Sequence, residues 1–191
     1  MTRLNKIQGP QPWQEARWTY QSPLGPIILL GHDDCLTDLY FAGEAHQPQG
    51  IEELPQVKLP VFQVAMDWLD AYFQGQPMDG LPKPRYELHG TDFQEAVWKY
   101  IETIPYGQTL TYGDIAKGVA RDLGKAKMSA QAVGGATGRN PISLIVPCHR
   151  VMGAKEAITG YGGGLDRKAY LLELEHISYR GLDKVSHKNT M

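Results

Sequence analysis

The pattern of apolar residues changes near residue 90, and this change constrains the fold more than any other feature of the chain. In the first part, short apolar runs alternate with turn-forming Pro, Gly and Asp, which is typical of a small antiparallel meander. These runs are Trp18-Thr19-Tyr20, Ile27 to Leu30 and Leu36 to Phe41. Helical spacing follows from Val61 to Tyr72, and residues 75–84 are rich in Gly and Pro. We therefore expect residues 1–85 to form a supporting domain that ends in a linker.

The second part has the pattern of a mainly helical domain over residues 86–180, followed by a polar tail at residues 181–191. Thr91 and Thr111 are both placed to cap a helix, and Thr111 has an acid three residues later, as in a capping box. Residues 129–136 are small and predict a third, short helix. Two consecutive short helices are a weak indication of a helix-turn-helix, and ordinary helix packing is the other interpretation. The sequence thus predicts an α+β fold with a helix-turn-helix in its second domain.

The tetrapeptide Pro147-Cys148-His149-Arg150 places a nucleophile, a base and a fixed positive charge side by side. A free thiol with a pKa of about 8.5 is mostly protonated at neutral pH, and a neighbouring cation or imidazole raises its thiolate fraction. The pattern therefore indicates a reactive cysteine, although a small buried thiol that only packs is an equally open interpretation. Because successive side chains in a strand point to opposite faces, His149 can act on Cys148 only if the backbone turns or a water joins them.

The remaining composition excludes several classes of protein. Only Cys35 and Cys148 are present, which argues against a disulfide framework and against a cysteine-based metal site. Cys35 follows two acids and lacks an activating cation, so we interpret it as structural. The longest apolar run, Ile27 to Leu30, is too short to span a bilayer, and the first twenty residues contain no apolar core of signal-peptide length. We expect a cytoplasmic protein that does not enter a membrane.

Basic residues are concentrated around the cysteine motif. Between Arg121 and Lys168 there are eight Lys or Arg and three acids, a net charge of +5, although the whole chain carries −2. An otherwise acidic protein with such a segment favours a polyanion as partner, unless the clustering is only a solvated surface.

Two features after the cysteine complete the candidate site. Glycines surround Tyr161 at residues 159–165 and would let the backbone pass close to a ligand, although a plain turn into the last helix fits equally well. Glu175 follows a helix rich in leucine, and a carboxylate in apolar surroundings usually has a partner. His149 is the candidate partner, since a Glu that holds a His that activates a Cys follows the logic of a catalytic triad.

Together these residues resemble the O6-alkylguanine-DNA alkyltransferases, also called methylated-DNA–protein-cysteine methyltransferases, from Gly90 to Glu175. The N-terminal run that starts at Ser22 is similar, more weakly, to the family's RNase H-like first domain. The matching segments are Gly90-Thr91-Asp92-Phe93-Gln94, Val97-Trp98, Ile104-Pro105-Tyr106-Gly107, Thr111-Tyr112-Gly113, Ala132-Val133-Gly134, Arg139-Asn140-Pro141, Pro147-Cys148-His149-Arg150-Val151, Gly160-Tyr161 and Gly163-Gly164-Leu165.

This resemblance implies a DNA repair protein that rotates O6-alkylguanine, or O4-alkylthymine, out of the duplex. The alkyl group would then move irreversibly to the protein's own cysteine, in a single turnover and without a cofactor or a metal. The protein would bind double-stranded DNA through the minor groove, as a monomer and without sequence preference.

The resemblance also implies a role for each matching residue. Cys148 would accept the alkyl group, His149 would deprotonate it through a water, and Glu175 would orient His149. Asn140 would brace the turn around the cysteine, and Tyr112 would donate a proton to the leaving guanine, with Lys168 polarising Tyr112 or the base. The DNA-binding residues would be Thr111, Tyr112, Ala130, Gln131, Gly134, Arg139 and Arg150. The alkylguanine pocket would be lined by Val151, Thr159, Gly160, Tyr161 and Gly163.

The chain departs from the family pattern at three places. Gln131 stands where the family carries an arginine that takes the place of the flipped base in the stack, and an amide is a poorer stacking partner. The connector between Tyr112 and Gln131 is longer than usual and adds two lysines. Residues 153–157 also differ, which leaves open the size of alkyl group that fits. A lesion-binding module with weak transfer on duplex DNA and a thiol hydrolase that turns over are the alternatives.

Overall fold

The computed structural model describes residues 15–181, and its first part contains the predicted meander. Three strands pair antiparallel in the order β1-β2-β3. They are β1 (Ala16–Ser22), β2 (Gly25–His32) and β3 (Cys35–Phe41). Tight turns join the strands, since Gly25 has a φ of 101° and Asp33 a φ of 50°. The prediction of three short strands with this topology is confirmed.

Helix α1 (Pro60–Phe73) packs against this sheet, as the helical spacing predicts. Pro60 is tolerated because the first turn of a helix needs no intrahelical N–H donor at that position. The buried side chains of α1 form one core with those of the sheet, which is the burial that stabilises this part of the fold. This core includes Ile27, Leu29, Leu39, Phe41, Phe62, Ala65, Leu69 and Tyr72.

The second part contains three helices that contact one another. They are α2 (Asp92–Glu102), α3 (Tyr112–Asp122) and α4 (Ala130–Thr137). Thr91 caps α2 with a complete capping box, and Thr111 and Ser129 cap α3 and α4 by accepting from a backbone N–H. The helices approach closely where Gly118 lies against the ring of Tyr100, since a Cβ there would lie 2.5 Å from that ring. These elements confirm the predicted α+β class.

The apolar run before the cysteine is an irregular segment and not a strand. Leu144 has a φ of 71°, which breaks an extended conformation, and Cys148 to Arg150 form one turn of 3-10 helix. The segment is nevertheless attached to the edge of the first sheet, since Ser143 N donates to Leu39 O over 2.7 Å. The backbone therefore turns at the cysteine, which is one of the two arrangements that the sequence left open.

The chain then returns through a short parallel pair and a last helix. Strand β4 (Leu110–Thr111) pairs with β5 (Val151–Met152), and α5 (Leu165–Leu174) packs against the 3-10 turn. The proposed tail at residues 181–191 lies, after Gly181, outside the described residues. Within residues 15–181, no helix has the length and the apolar composition needed to cross a membrane.

Candidate active site

Cys148 lies at a cavity of about 420 Å³ to which both parts of the chain contribute. Its side chain is buried, with 5% of the residue exposed, at the first position of the 3-10 turn. The cavity is lined by Ala45, His46, Tyr112, Ala130, Gln131, Gly134, Thr137, Gly138, Cys148, Thr159, Gly160, Tyr161 and Gly162. The lining is mostly small or apolar, as in pockets that accept a flat organic group.

Asn140 braces the turn that presents Cys148. Its side-chain amide donates to Val146 O over 2.8 Å and to Ile142 O over 3.3 Å, and its Oδ1 accepts from Ile142 N over 3.0 Å. The amide therefore satisfies backbone groups that no regular strand or helix would pair. This is the placement that the sequence comparison with the family implies for Asn140.

The thiol of Cys148 is held in its neutral form by burial. Burial raises its pKa to about 11, and a hydrogen bond from Asn140 opposes this only in part. At neutral pH the thiol is therefore almost entirely protonated. The expectation that His149 and Arg150 raise the thiolate fraction at rest is therefore wrong, because both side chains interact with Glu175 instead.

His149 is a buried neutral base oriented by Glu175. Its Nε2 lies 2.7 Å from Glu175 Oε1, and its side chain is fully shielded from solvent. Burial lowers the pKa of His149, and the hydrogen bond to Glu175 opposes that shift. Since an ionised carboxylate only accepts, Nε2 carries the proton and Nδ1 has a free lone pair. Within the described part of the chain, Nδ1 has no protein hydrogen-bond partner.

Glu175 is the centre of a buried hydrogen-bond network. Besides His149, its carboxylate accepts from Tyr72 Oη over 2.7 Å and from the backbone N of Gly107 over 3.0 Å. Arg150 adds two hydrogen bonds, at 2.7 Å from Nε and 2.9 Å from Nη2. Burial alone would raise the pKa of Glu175, but the hydrogen bonds and charges of His149 and Arg150 outweigh it and hold the pKa well below its usual range.

Arg150 does not belong to the DNA-binding surface, contrary to the expectation from the sequence. Only 7% of the residue is exposed, and its guanidinium is divided between Glu175 and the carbonyl of Ile104, at 2.7 Å from Nη1. A guanidinium matches a carboxylate in two parallel hydrogen bonds, so this pair is more favourable than exposure beside a phosphate. Arg150 therefore stabilises the Glu175 network.

Lys168 is also inside the protein, where it holds the wall of the cavity. Its Nζ donates to the carbonyls of Val151, Thr159 and Gly160 at 2.6, 2.7 and 3.2 Å. Burial lowers the pKa of Lys168 to about 8. With all three protons directed at carbonyls, Lys168 does not polarise Tyr112 by a hydrogen bond, and it only lies 5.9 Å from the centre of the Tyr112 ring.

Tyr112 begins α3 at the opening of the cavity. Its hydroxyl lies 3.2 Å from the carbonyls of both Thr159 and Gly160 and can donate to one of them at a time. Burial raises the pKa of Tyr112 to about 12, so the group is a neutral donor at physiological pH. The hydroxyl, the carbonyl strip and Lys168 form one unit beside Cys148.

The other predicted pocket residues divide into two groups. Thr159, Gly160 and Tyr161 line the cavity, as the family resemblance implies. Val151 and Gly163 do not line it. Val151 is buried in β5 and presents only its carbonyl to Lys168, while Gly163 lies behind the wall, where a Cβ would be 2.8 Å from the Tyr161 ring. These two residues support the wall from outside the cavity.

The predicted DNA-binding residues other than Arg150 lie at or near the cavity opening. Tyr112, Ala130, Gln131 and Gly134 line it, with Ala130 and Gln131 exposed at the start of α4. Arg139 is exposed just after α4. Thr111 caps α3 and does not reach the cavity. The basic surface is smaller than the sequence suggests, since Arg150 and Lys168 are buried and Arg167 donates to the carbonyls of Leu24 and Gly163.

The first part of the chain contributes residues to the site that no sequence motif indicates. Tyr72 of α1 completes the Glu175 network from 103 residues away, and Ala45 and His46 line the cavity. None of the three belongs to a local motif. Only the spacing that places Tyr72 on the buried side of α1 was available in the sequence, and it predicts packing without naming a partner.

Comparisons with known proteins agree with this arrangement. Residues 92–177 match the model of the 6-O-methylguanine DNA methyltransferase DNA binding domain, and residues 17–79 match the model of the ribonuclease-like domain of the same family. A methylated-DNA–protein-cysteine methyltransferase of Mycobacterium tuberculosis is 46% identical over 157 residues, which cover 82% of this chain and 90% of that protein. One of Haemophilus influenzae is 39% identical over 160 residues, which cover 84% of this chain and 86% of the relative.

A solved structure shares the same architecture. The crystal structure of Mycobacterium tuberculosis OGT in complex with DNA superposes with a TM-score of 0.72 at 43% identity, covering 84% of this chain and 92% of that one. The chain thus matches its relatives in sequence, and this structure in fold, over more than four fifths of its length. The chain belongs to the 6-O-methylguanine DNA methyltransferase family.

Proposed function

We propose that this protein repairs DNA by moving the alkyl group of O6-alkylguanine, or of O4-alkylthymine, onto Cys148. The observation that carries the proposal is the buried thiol of Cys148 at the cavity, one residue before a histidine whose Nε2 is fixed 2.7 Å from Glu175. The sulfur forms a bond to the alkyl carbon, and the bond between that carbon and the oxygen of the base breaks. The base leaves with the electron pair and is protonated.

Cys148 loses its proton to His149 in the course of the reaction. A resting pKa of about 11 keeps Cys148 neutral, which protects the sulfur from oxidation and from stray electrophiles. His149 Nδ1 takes the proton through a bridging water, and Glu175 stabilises the resulting imidazolium. Because the proton moves only a short distance in a buried site, the thiolate of Cys148 and the imidazolium of His149 form without exposure to bulk solvent.

Tyr112 supplies the proton that the departing base requires. Its neutral hydroxyl already lies at the cavity opening, where the carbonyls of Thr159 and Gly160 hold it. A base that enters the cavity can accept this hydrogen bond in place of a carbonyl. Lys168 keeps both carbonyls in position through its own hydrogen bonds, so it acts on the reaction by positioning the wall.

The reaction ends with a thioether, which no group of the site can cleave. Each protein molecule therefore repairs one lesion. The test is a titration of duplex DNA that contains O6-methylguanine against a fixed amount of protein. Repaired base should rise to one equivalent per protein and then stop. Continued repair beyond one equivalent would indicate a hydrolase and would contradict the proposal.

Small side chains at the start of α4 permit this helix to approach the minor groove of DNA closely. Ala130 and Gly134 cannot reach base edges, so binding is expected to be tolerant of sequence. Since the cavity opens on this surface, the lesion must rotate out of the stack to reach Cys148, which requires a few kcal/mol of unstacking. The protein acts on double-stranded DNA as a monomer.

Gln131 is exposed at the cavity opening, where it is placed to take the position that the flipped base leaves in the stack. An amide stacks less well than a guanidinium and carries no charge. Gln131→Arg is therefore expected to accelerate single-turnover repair of a duplex about tenfold, equivalent to roughly 1.4 kcal/mol of activation free energy. Repair of a single strand or of the free base should change little, because neither requires extrusion.

This prediction is tested by the repair rates of wild type and of Gln131→Arg on the duplex, the single strand and the free base. An equal gain on all three substrates would place the effect of Gln131 in the chemistry. No gain on the duplex would show that the amide already suffices for extrusion. Wild-type protein that binds the damaged duplex tightly but does not repair it would favour a lesion-binding module.

The pH dependence of repair should follow His149. Since burial lowers its pKa, His149 remains a neutral base as the pH falls, and the transfer rate at saturating DNA should stay level to a lower pH than an ordinary histidine would allow. Single-turnover rates across a range of pH provide the measurement. A rate that rises tenfold per pH unit from neutral to alkaline conditions would instead mean that free thiolate reacts without the histidine.

A further inference from the structure

A second cavity lies beside the opening of the Cys148 cavity and is lined with basic side chains. It has a volume of about 620 Å³ and lies between α3 and the connector to α4. Four cations line it, and of the described residues that form its wall none is acidic. These cations are Lys117, Arg121, Lys125 and Lys127. We call this cavity the connector groove.

Two of the four cations already have partners, and two are available. Lys117 Nζ lies 3.7 Å from Asp114, and Arg121 donates to Asp122 over 3.1 Å and to Tyr100 Oη over 3.0 Å. Lys125 and Lys127 are exposed, and neither makes an ion pair or a hydrogen bond through its side chain within residues 15–181. Their charges are therefore free to meet an anion that arrives from solution.

The backbone holds the beginning of this connector in a defined conformation. Lys125 N donates to Ala120 O over 2.8 Å, and Gly124 reverses the chain at a φ of 62°, as at many helix ends. At its other end, Ser129 caps α4 by accepting from Ala132 N over 3.1 Å. The two lysines thus project from a segment that is fixed at both ends.

The connector groove adjoins the opening of the Cys148 cavity. Ala130 lines both cavities, while the neighbours Tyr112 and Gly113 line one cavity each. A nucleic acid that delivers a base to Cys148 brings its phosphate backbone close to the cavity opening, and the connector groove lies beside that opening. An ammonium is a point charge that binds phosphate without demanding a particular base.

We propose that the connector groove binds the phosphate backbone of the DNA strand beside the lesion, through Lys125 and Lys127. This inference rests on the proposed function, because it identifies the anion as DNA. It also gives the protein a basic contact in a region where the burial of Arg150 and Lys168 leaves fewer exposed charges than the sequence contains. The contact strengthens binding to damaged and undamaged DNA alike.

The test is the salt dependence of binding to an undamaged duplex, which requires no alkyl transfer. Each phosphate contact contributes about 0.9 to the slope of log affinity against log salt. Lys125→Gln with Lys127→Gln should therefore reduce the slope by about 1.8, so that the affinity lost between about 50 and 200 mM salt is roughly twelvefold smaller than for wild type. The matched control is Lys58→Gln with Lys83→Gln, which changes the net charge equally at two exposed lysines outside both cavities.

The possible results separate the explanations. A lower slope in the connector variant alone supports the proposal, while an equal change in the control would assign the effect to net charge and overturn it. An unchanged slope in the connector variant also overturns it. Inorganic phosphate and the duplex can also be compared for how well each protects Lys125 and Lys127 from acetylation. Equal protection by both would indicate a site for free anions and would overturn the proposal. Repair of free O6-methylguanine, measured separately, reports on the proposed function and not on the groove.

Discussion

Cys148→Ser is expected to abolish alkyl transfer and to leave affinity for damaged DNA within about twofold of wild type, since the hydroxyl occupies less space than the thiol and no DNA contact is lost. A serine hydroxyl ionises far less readily than a thiol, and the pair formed by His149 and Glu175 has no fixed positive charge directed at that oxygen. The variant should bind the extruded base and retain it, because the irreversible step is missing.

Cys35→Ser is the matched control for this prediction. Cys35 is as buried as Cys148, with 2% of the residue exposed, but it lies at the start of β3, away from the residues that line the cavity. Burial also raises the pKa of its thiol. Equilibrium binding and single-turnover repair of the same duplex should show full transfer by the Cys35 variant and none by the Cys148 variant. Transfer by Cys148→Ser would remove Cys148 from the chemistry.

Glu175→Gln is expected to destabilise the protein by about 3–5 kcal/mol, because it leaves the guanidinium of Arg150 buried without a compensating charge. The amide keeps the shape of the carboxylate, so the effect comes from charge and hydrogen bonding and not from a cavity. Transfer by the fraction that remains folded should also slow by at least about a hundredfold, since a neutral amide cannot stabilise the imidazolium of His149.

Urea unfolding and single-turnover repair at low temperature measure the two effects separately. Asp166→Asn removes an exposed carboxylate from the first turn of α5 and should change stability by less than about 0.5 kcal/mol. Tyr72→Phe removes one donor to Glu175 and should lower the free energy of unfolding by about 1.5–3 kcal/mol with little loss of rate. A Glu175→Gln protein as stable and as active as wild type would mean that the network is unimportant.

The helices and strands whose ends are marked by capping or turn residues could be predicted from the local sequence. Thr91 and Thr111 cap helices because their side chains accept a hydrogen bond from a backbone N–H. The three apolar runs form strands because turn residues separate them. Glu175 was identified as a residue in need of a partner from its leucine neighbours alone. The family resemblance then indicated the turn braced by Asn140, which no local propensity specifies.

The electrostatics of the site depended on burial, which local sequence does not report. A sequence that reads cysteine, histidine, arginine suggests an activated thiol, but the 3-10 turn directs Arg150 towards Glu175 and leaves Cys148 neutral. The local sequence does not show whether Lys168 lies on the exposed or the buried side of its helix. In the structure it is fully buried among carbonyls. Such outcomes are decided by which residues meet across the fold, often more than a hundred positions apart, as for Tyr72 and Glu175.

In the proposed reaction Cys148 itself becomes alkylated. The most direct measurement is intact-mass spectrometry after incubation with a duplex that contains O6-methylguanine, followed by peptide mapping. We expect the whole population to gain the mass of one CH2 group and the gain to map to Cys148, with none on Cys35. An unchanged mass while the lesion disappears, or a gain that maps to any other residue, would contradict it.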